Sequence, residues 1–176
     1  MNVCRWEYPG TWVDKVAGSW IPAHGTAVYA IEAKTRLERT YYEAETAYNP
    51  SYQELENNQA KGTGWYDYDE SCRSGMKATW LGGNEDNRLE LKHVYRKQTG
   101  MCEITVDYLL GEDRNLTLSV NGNKVKKFTC NSGGNDKHSV VTVRTMLKKG
   151  DNVIALYNNP SRMPDIDYLK IENIKI

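Results

Sequence analysis

Three acidic side chains, two near residue 40 and one near the carboxyl end, could together bind a metal ion. Glu43 and Glu45, in YYEAETA at positions 41 to 47, are two apart on a predicted strand, so both carboxylates lie on one face. Asp167 has the strand parity of Leu169 and is expected to point toward the core, where an unpaired carboxylate is costly. If the first and last strands are neighbours, the three carboxylates converge, and calcium would relieve their repulsion. From spacing alone, solvated surface carboxylates remain the favoured alternative.

Aromatic and arginine side chains could bind sugars. The chain has 12 Tyr and five Trp against one Phe, so nearly every ring carries a polar group, although antiparallel sheets also favour these residues. Trp65 and Tyr66 lie in GWYDYDESC at 64 to 72, a predicted loop that forms either a binding platform or an aromatic plug over the sandwich end. Arg114 in GEDRN and Arg162 in NNPSRMP could form paired hydrogen bonds to sugar hydroxyls or a uronate. Solvated loop charge is the favoured interpretation of both arginines.

The sequence does not support catalysis. Glycoside hydrolysis needs two carboxylates on either side of a cleft, and Glu43 and Glu45 are adjacent same-face residues at a predicted sandwich edge. No nucleophile motif, zinc-protease motif or phosphate-binding loop is present around His24, His93 or His138. We therefore expect a protein that is not an enzyme.

Charge and cysteine spacing exclude further classes. The net charge is zero, with 23 basic and 23 acidic side chains, and no dense basic run suits nucleic acid. Apolar runs are far shorter than the roughly 20 residues that cross a membrane, and the first residues lack the apolar core of a signal peptide. We therefore expect either an intracellular chain or one whose true start is missing. Zinc-finger or thioredoxin-like spacing is absent from the four cysteines, which are Cys4, Cys72, Cys102 and Cys130.

The hydrophobic pattern has period two almost throughout, which predicts an all-β protein. Three such series are predicted strands, namely Leu89, Leu91, His93 and Tyr95; Ile104, Val106 and Tyr108; and Leu116, Leu118 and Val120. Cys102 is in register with the second series and is predicted to be a small buried side chain. Asn121-Gly122 predicts a tight hairpin, and further strands are expected over 139–147, 152–157 and 166–171. Strands at this spacing predict a sandwich or barrel.

A domain boundary is predicted near residue 38. Residues 1 to about 34 contain two or three strand-like runs, including Ala27 to Ala33, and then pass into the charged stretch KTRLER at 34 to 39, so residues 1–38 are treated as the first piece. So short a piece cannot bury enough surface to stand alone, so we interpret it as a fragment of a preceding β-domain. Residues 39–176 are predicted to form the main domain.

Three segments in a familiar order resemble carbohydrate-binding modules of families 35 and 6. They are YYEAETA, SGMKATWLGG at 74 to 83 and PDIDYLKI at 164 to 171, and the resemblance covers about residues 41–176. It implies a β-sandwich of the jelly-roll type. It also implies a structural calcium ion bound by Glu43, Glu45 and Asp167, which reverses the preference reached from spacing alone.

The resemblance also implies a sugar cleft in loops at one edge of the sandwich. Its aromatic residue corresponds to Trp80, and its polar residue before the last strand corresponds to Asp165, where family members commonly have Asn. A loop that often reads TGGWxxW in the family is SGGNDKH here, with Asn135 and His138 at the tryptophan positions. One stacking platform is therefore expected to be missing.

The segment GSWIPAHGTAVYAIE at 18 to 32 resembles the end of the C-terminal β-domain of glycoside hydrolase family 27, the α-galactosidase family. This resemblance implies the tail of an extracellular or periplasmic glycosidase, with His24 in a structural role. We therefore expect a non-catalytic module that targets a catalytic domain to galactose- or uronate-containing glycans. The alternative is a calcium-stabilised spacer domain of the same enzyme that binds no sugar.

Overall fold

The chain divides into two compact units, Met1–Leu37 and Glu38–Ile176. The computed structural model describes residues 2–5, 11–13, 29–32, 36–51, 64–131 and 133–174. In the first unit, β1 (Asn2–Arg5), β2 (Thr11–Val13) and β3 (Tyr29–Glu32) form an antiparallel sheet in the order β2-β1-β3. His24 and most of the segment that resembles family 27 lie outside the described residues.

The second unit consists of ten strands and one short 3₁₀ turn, Ala44–Thr46, in its described part. The strands are β4 (Tyr41–Glu43), β5 (Trp65–Tyr68), β6 (Met76–Thr79), β7 (Leu89–Arg96), β8 (Gly100–Leu110), β9 (Arg114–Val120), β10 (Asn123–Cys130), β11 (Gly134–Leu147), β12 (Gly150–Tyr157) and β13 (Asp165–Asn173). No helix in the described ranges is long and apolar enough to cross a membrane.

These strands form two antiparallel sheets. One has the order β10-β9-β12-β7, and the other has the order β11-β8-β13-β6-β5, with β4 also paired to β13. Both sheets contribute to one core cluster, for example Leu118 and Ile154 from the first and Ile104 and Leu169 from the second. The predicted all-β sandwich of the jelly-roll type is therefore confirmed.

The predicted hairpin and two predicted strand faces are present. Asn121 and Gly122 have φ angles of 51° and 81° and connect β9 to β10 as a tight turn. The Ile104 and Leu116 series are buried, because their alternate side chains point into the core. Cys102 is also buried, and its thiol donates a hydrogen bond to Asn173 Oδ1 at 3.3 Å.

The predicted face of β7 is wrong beyond Leu91. His93 is exposed, whereas Val94 and Arg96 are buried. The reason is a β-bulge: Leu91 pairs with Ile154 and Val94 pairs with Asn152, so β7 uses one more residue than β12 over this stretch. An extra residue reverses the parity of every side chain that follows it.

Candidate functional site

The first and last strands of the second unit are neighbours. β4 and β13 pair antiparallel, with Glu43 opposite Tyr168. The spacing predicted that Glu45 lies on a strand, but this prediction is wrong. The chain enters the 3₁₀ turn directly after Glu43, and Glu45 lies in that turn. The turn nevertheless keeps Glu45 close enough to Asp167 for the two carboxylates to interact electrostatically.

Both glutamates have an unpaired buried oxygen. Glu43 Oε2 and Glu45 Oε2 are buried and have no hydrogen-bond partner among the described residues. The other oxygen of Glu43 accepts from the Arg73 guanidinium, which offsets part of the negative charge. A buried carboxylate oxygen without a partner is costly, and a bound cation would remove that cost.

Asp167 is buried within a bulge of β13. Ile166 pairs with Tyr108 and Leu169 pairs with Val106, so β13 contains one extra residue here. Asp167 is nevertheless buried together with Leu169 and Ile171, as their shared parity predicts. Both carboxylate oxygens accept from the Arg73 backbone N–H, at 3.2 and 3.0 Å. Burial raises the pKa of Asp167 above its ordinary value, despite the Arg73 hydrogen bond, and nearby carboxylates add to the rise. Asp167 and the two glutamates carry the type of oxygen donor that calcium takes, but among the described residues their oxygens do not all lie within 4.8 Å of one another.

Two further side chains adjoin Asp167 that the sequence did not assign to the site. His138 Nδ1 lies 2.6 Å from Asp107 Oδ1 and 3.7 Å from Asp167 Oδ2. Cys72, His138 and Asp167 each offer a ligand atom, and these atoms lie within 4.8 Å of one another. Because the three residues are far apart in sequence, no motif spacing could reveal the group.

A separate cavity of about 210 Å³ brings together four of the residues predicted to bind sugar. Trp80, Arg114, Arg162 and Asp165 line it, beside apolar surface from Leu109. It lies where the loops that follow β6 and β8 meet the start of β13. The cavity therefore has one aromatic ring, two cations and one carboxylate in its wall.

Trp80 has several contacts that hold it in place, although its side chain is exposed. It is 48% exposed and has a φ angle of 59°, in the left-handed region that non-glycine residues seldom adopt. The Trp65 ring lies 5.6 Å from it at 42°, and the Arg162 guanidinium lies 4.5 Å from its centroid. Its carbonyl accepts from Arg162 Nη1 at 2.6 Å and from Asn87 Nδ2 at 2.8 Å.

The sequence favoured solvated loop charge for both arginines, but the structure fixes them in the cavity wall. Arg114 donates to the Met163 carbonyl at 3.1 Å and to Glu112 at 3.0 Å, and its side chain is only 25% exposed. Arg162 is held by its bond to Trp80 and its contact with that ring. Both cations are thus oriented before any ligand arrives, which lowers the entropy cost of binding.

Asp165 is also held by neighbouring groups. It accepts from Thr79 Oγ1 at 2.8 Å, and Lys77 Nζ lies 3.6 Å from its other oxygen. Burial disfavours the charged form of Lys77, but a hydrogen bond to Asp69 and the charge of Asp165 outweigh it and raise the pKa of Lys77. Lys77 therefore stays protonated and offsets part of the charge of Asp165.

The aromatic insertion is a strand rather than a loop, because β5 pairs with β6. Trp65 contacts Trp80 but does not line the cavity. Tyr66 does not face the cavity, since its hydroxyl donates to the Ala47 carbonyl at 2.7 Å and its ring packs on the core. Of the two, only Trp65 can act on the cavity, by positioning Trp80.

Solved structures of carbohydrate-binding modules resemble this chain. A family 35 module from Clostridium thermocellum is 25% identical, with a TM-score of 0.64, and the match covers 74% of this chain and 96% of that one. The sandwich has the fold of a family 35 carbohydrate-binding module. The family 35 module of Paenibacillus barcinonensis shares this fold at 20% identity and a TM-score of 0.59, covering 77% of this chain and 100% of that one.

The same fold matches part of a larger enzyme, an exo-β-1,3-galactanase from Phanerochaete chrysosporium. The identity is 21% and the TM-score 0.61, and the match covers 82% of this chain but only 30% of the enzyme. No protein-family model matches the chain. No curated protein matches it either.

Proposed function

We propose that this chain binds carbohydrate without catalysis, in the cavity beside Trp80. The observation that carries the proposal is that an exposed indole, two oriented arginines and a carboxylate share one cavity wall on a family 35 fold. The indole offers an apolar face to the C–H groups of a sugar, and the polar side chains offer hydrogen bonds to its hydroxyls. The fold of a binding module supports the non-catalytic role.

The ligand that we propose is a galactose- or uronate-containing glycan. Arg114 and Arg162 place two cations on the cavity, and a guanidinium pairs well with a carboxylate. Asp165 stands where Asn is expected from the family resemblance, but Lys77 lies beside it and reduces its repulsion of an anionic sugar. These charges favour uronates over neutral galactosides.

A calcium ion bound by Glu43, Glu45 and Asp167 is part of the proposal. The buried, unpaired oxygens of both glutamates support it. The role of this calcium ion is structural, because a cation bound there would link β4, the 3₁₀ turn and β13. We further propose that the chain comes from an extracellular or periplasmic α-galactosidase-like enzyme whose catalytic domain it serves.

A spacer domain without sugar binding is the second candidate. His138 stands at one of the positions where family members carry a tryptophan, and its imidazole is engaged by Asp107 at 2.6 Å. That position therefore offers no indole for stacking. The spacer function predicts that no sugar binds at millimolar concentration.

Calorimetric titration of the full chain with galacturonic acid and with a methyl galactoside separates the two candidates. Trp80→Ala should weaken binding about tenfold or more, since a stacking contact is worth roughly 1.5 kcal/mol. Tyr68→Ala is the matched control, because Tyr68 is 72% exposed but lies outside the cavity, and it should leave affinity unchanged. Equal losses in both variants would place the sugar elsewhere.

A further inference from the structure

Cys72, His138 and Asp167 form a cluster of three different donor types, here called the thiol cluster. They come from the loop between β5 and β6, from β11 and from β13. One ligand atom of each lies within 4.8 Å of the others. Cys72 and Asp167 are buried, while the His138 side chain is 28% exposed, so the cluster is reached from solvent on the histidine side.

The loop that carries the thiol is fixed by its own hydrogen bonds. Asp69 accepts from the Ser71 backbone N–H at 3.0 Å, from Ser71 Oγ at 2.7 Å and from Lys77 Nζ at 3.0 Å. The Cys72 N–H donates to the Asp69 carbonyl at 3.0 Å, and the Cys72 carbonyl accepts from the Gly75 N–H at 3.0 Å. The backbone that carries the thiol is therefore held in place before any ligand binds.

The imidazole is oriented as well. His138 Nδ1 lies 2.6 Å from Asp107 Oδ1, and Nε2 lies 3.2 Å from Ser71 Oγ. A carboxylate that binds one ring nitrogen and so orients the ring is the usual outer partner of a metal-binding histidine. Because Asp107 holds Nδ1, a metal ion would take Nε2 in place of its contact with Ser71 Oγ. Asp107 is itself buried, so it holds the ring from within the protein.

We propose that the thiol cluster binds a borderline-soft divalent metal ion of the zinc class through sulfur, nitrogen and oxygen. Tetrahedral zinc ligands lie about 3.3 to 3.8 Å apart, so movements of about 1 Å complete the site. The Cys72 thiol loses its proton to solvent on binding, and the thiolate and Asp167 carboxylate then neutralise the ion. Three protein ligands leave a fourth position for water.

The zinc-class site differs in donor type from the proposed calcium site. Calcium takes oxygen donors, which Glu43 and Glu45 supply, whereas Cys72 and His138 supply donors that calcium does not favour. Asp167 adjoins both sets, so it is the residue through which the two ions would influence each other. The inference does not depend on sugar binding.

Cobalt(II) is the probe, added to the full reduced chain in excess calcium. A cobalt–thiolate bond gives a near-ultraviolet charge-transfer band, which we expect in the parent protein and not in Cys72→Ser. Cys130→Ser is the matched control, because Cys130 is also a buried free cysteine but lies outside the cluster, and it should keep the band. His138→Gln should lower zinc affinity about tenfold or more, and Asp107→Asn about 10- to 100-fold.

Absence of the band in the parent protein, or an unchanged band in Cys72→Ser, would overturn the proposal. If Cys72→Ser does not fold, the partly exposed His138→Gln variant decides, since unchanged zinc affinity there has the same meaning. Calcium binding is followed separately by the melting temperature of Cys72→Ser and Glu45→Gln. We expect Glu45→Gln to lose the calcium response and keep the cobalt band. We expect Cys72→Ser to lose the cobalt band and keep the calcium response.

Discussion

Replacing Asn87 by alanine should destabilise the protein strongly, because this fully buried side chain connects three segments around the cavity. Its Nδ2 donates to the carbonyls of Trp80, at 2.8 Å, and Gly82, at 2.9 Å. Its Oδ1 accepts from the Gly64 N–H at 2.7 Å. In Asn87→Ala, the buried Gly64 N–H and the Gly82 carbonyl lose this partner, and the Trp80 carbonyl keeps only its bond from Arg162.

The expected magnitude follows from the number of bonds lost. Asn87 Oδ1 also accepts from Asn49 Nδ2 at 3.2 Å and from Ser51 Oγ at 3.1 Å, so five hydrogen bonds with described residues are lost in all. A buried hydrogen bond contributes about 1 kcal/mol net, so the free energy of unfolding should fall by about 3 to 5 kcal/mol. Urea denaturation followed by tryptophan fluorescence measures the change. Asn115→Ala is the matched control, because Asn115 accepts only one exposed 3.4 Å bond from Thr129, and it should change stability by less than about 0.5 kcal/mol.

A loss below about 1 kcal/mol in Asn87→Ala would refute this reasoning, since it would mean that the groups released by the substitution find other partners. The variant also releases one of the two bonds that hold the Trp80 carbonyl. We therefore expect weaker sugar binding in Asn87→Ala even under conditions where it remains folded.

Three further changes have defined outcomes. Hydrogen bonds, above all from Ser71, lower the pKa of Asp69 from 3.8 to about 2. The charged carboxylate of Asp69 therefore stabilises the fold above about pH 4, and this stabilisation is lost as the pH falls to about 2. Asp69→Asn should cost about 1 to 2 kcal/mol at pH 7 and almost nothing near pH 2, and a pH-independent cost in urea titrations would contradict this. Gly82→Ala should lower the free energy of unfolding by at least about 3 kcal/mol, because a Cβ there would meet backbone atoms at 2.7 and 2.8 Å. Gly122→Ala should lower it by only about 1 kcal/mol, because a Cβ there would meet nothing within 4 Å. Equal urea midpoints for the two variants would be inconsistent with this. Chelating calcium should lower the melting temperature of the parent protein but not of Glu45→Gln, and equal shifts would count against the calcium site.

Local patterns predicted most of the sandwich because strand alternation and turn chemistry are properties of short segments. Ile104, Val106 and Tyr108 are buried as their period-two spacing predicts. The hairpin was predictable because the pair Asn121-Gly122 tolerates the positive φ angles that its turn requires.

The errors come from features that depend on the partner strand. The bulge at Leu91–Val94 is defined by its pairing with β12, and nothing in the β7 sequence marks the extra residue. The sequence of β5 predicted a loop because polar Asp67 interrupts its aromatic residues. Pairing with β6 nevertheless makes this segment a strand.

The candidate sites show the same division. The family resemblance indicated Trp80 and Asp165, and the structure places both in the wall of one cavity. The contacts that hold Arg114 and Arg162 in the cavity wall were not, because they depend on distant backbone carbonyls. The meeting of Cys72 and His138 likewise depends on the packing of β11 against the loop before β6.

A crystal structure of the chain with bound galacturonic acid tests the central claim most directly. The account predicts a sugar ring against the exposed part of Trp80, with its carboxylate within hydrogen-bond distance of Arg114 or Arg162. A sugar bound elsewhere on the sandwich, or an empty cavity at saturating ligand, would contradict it.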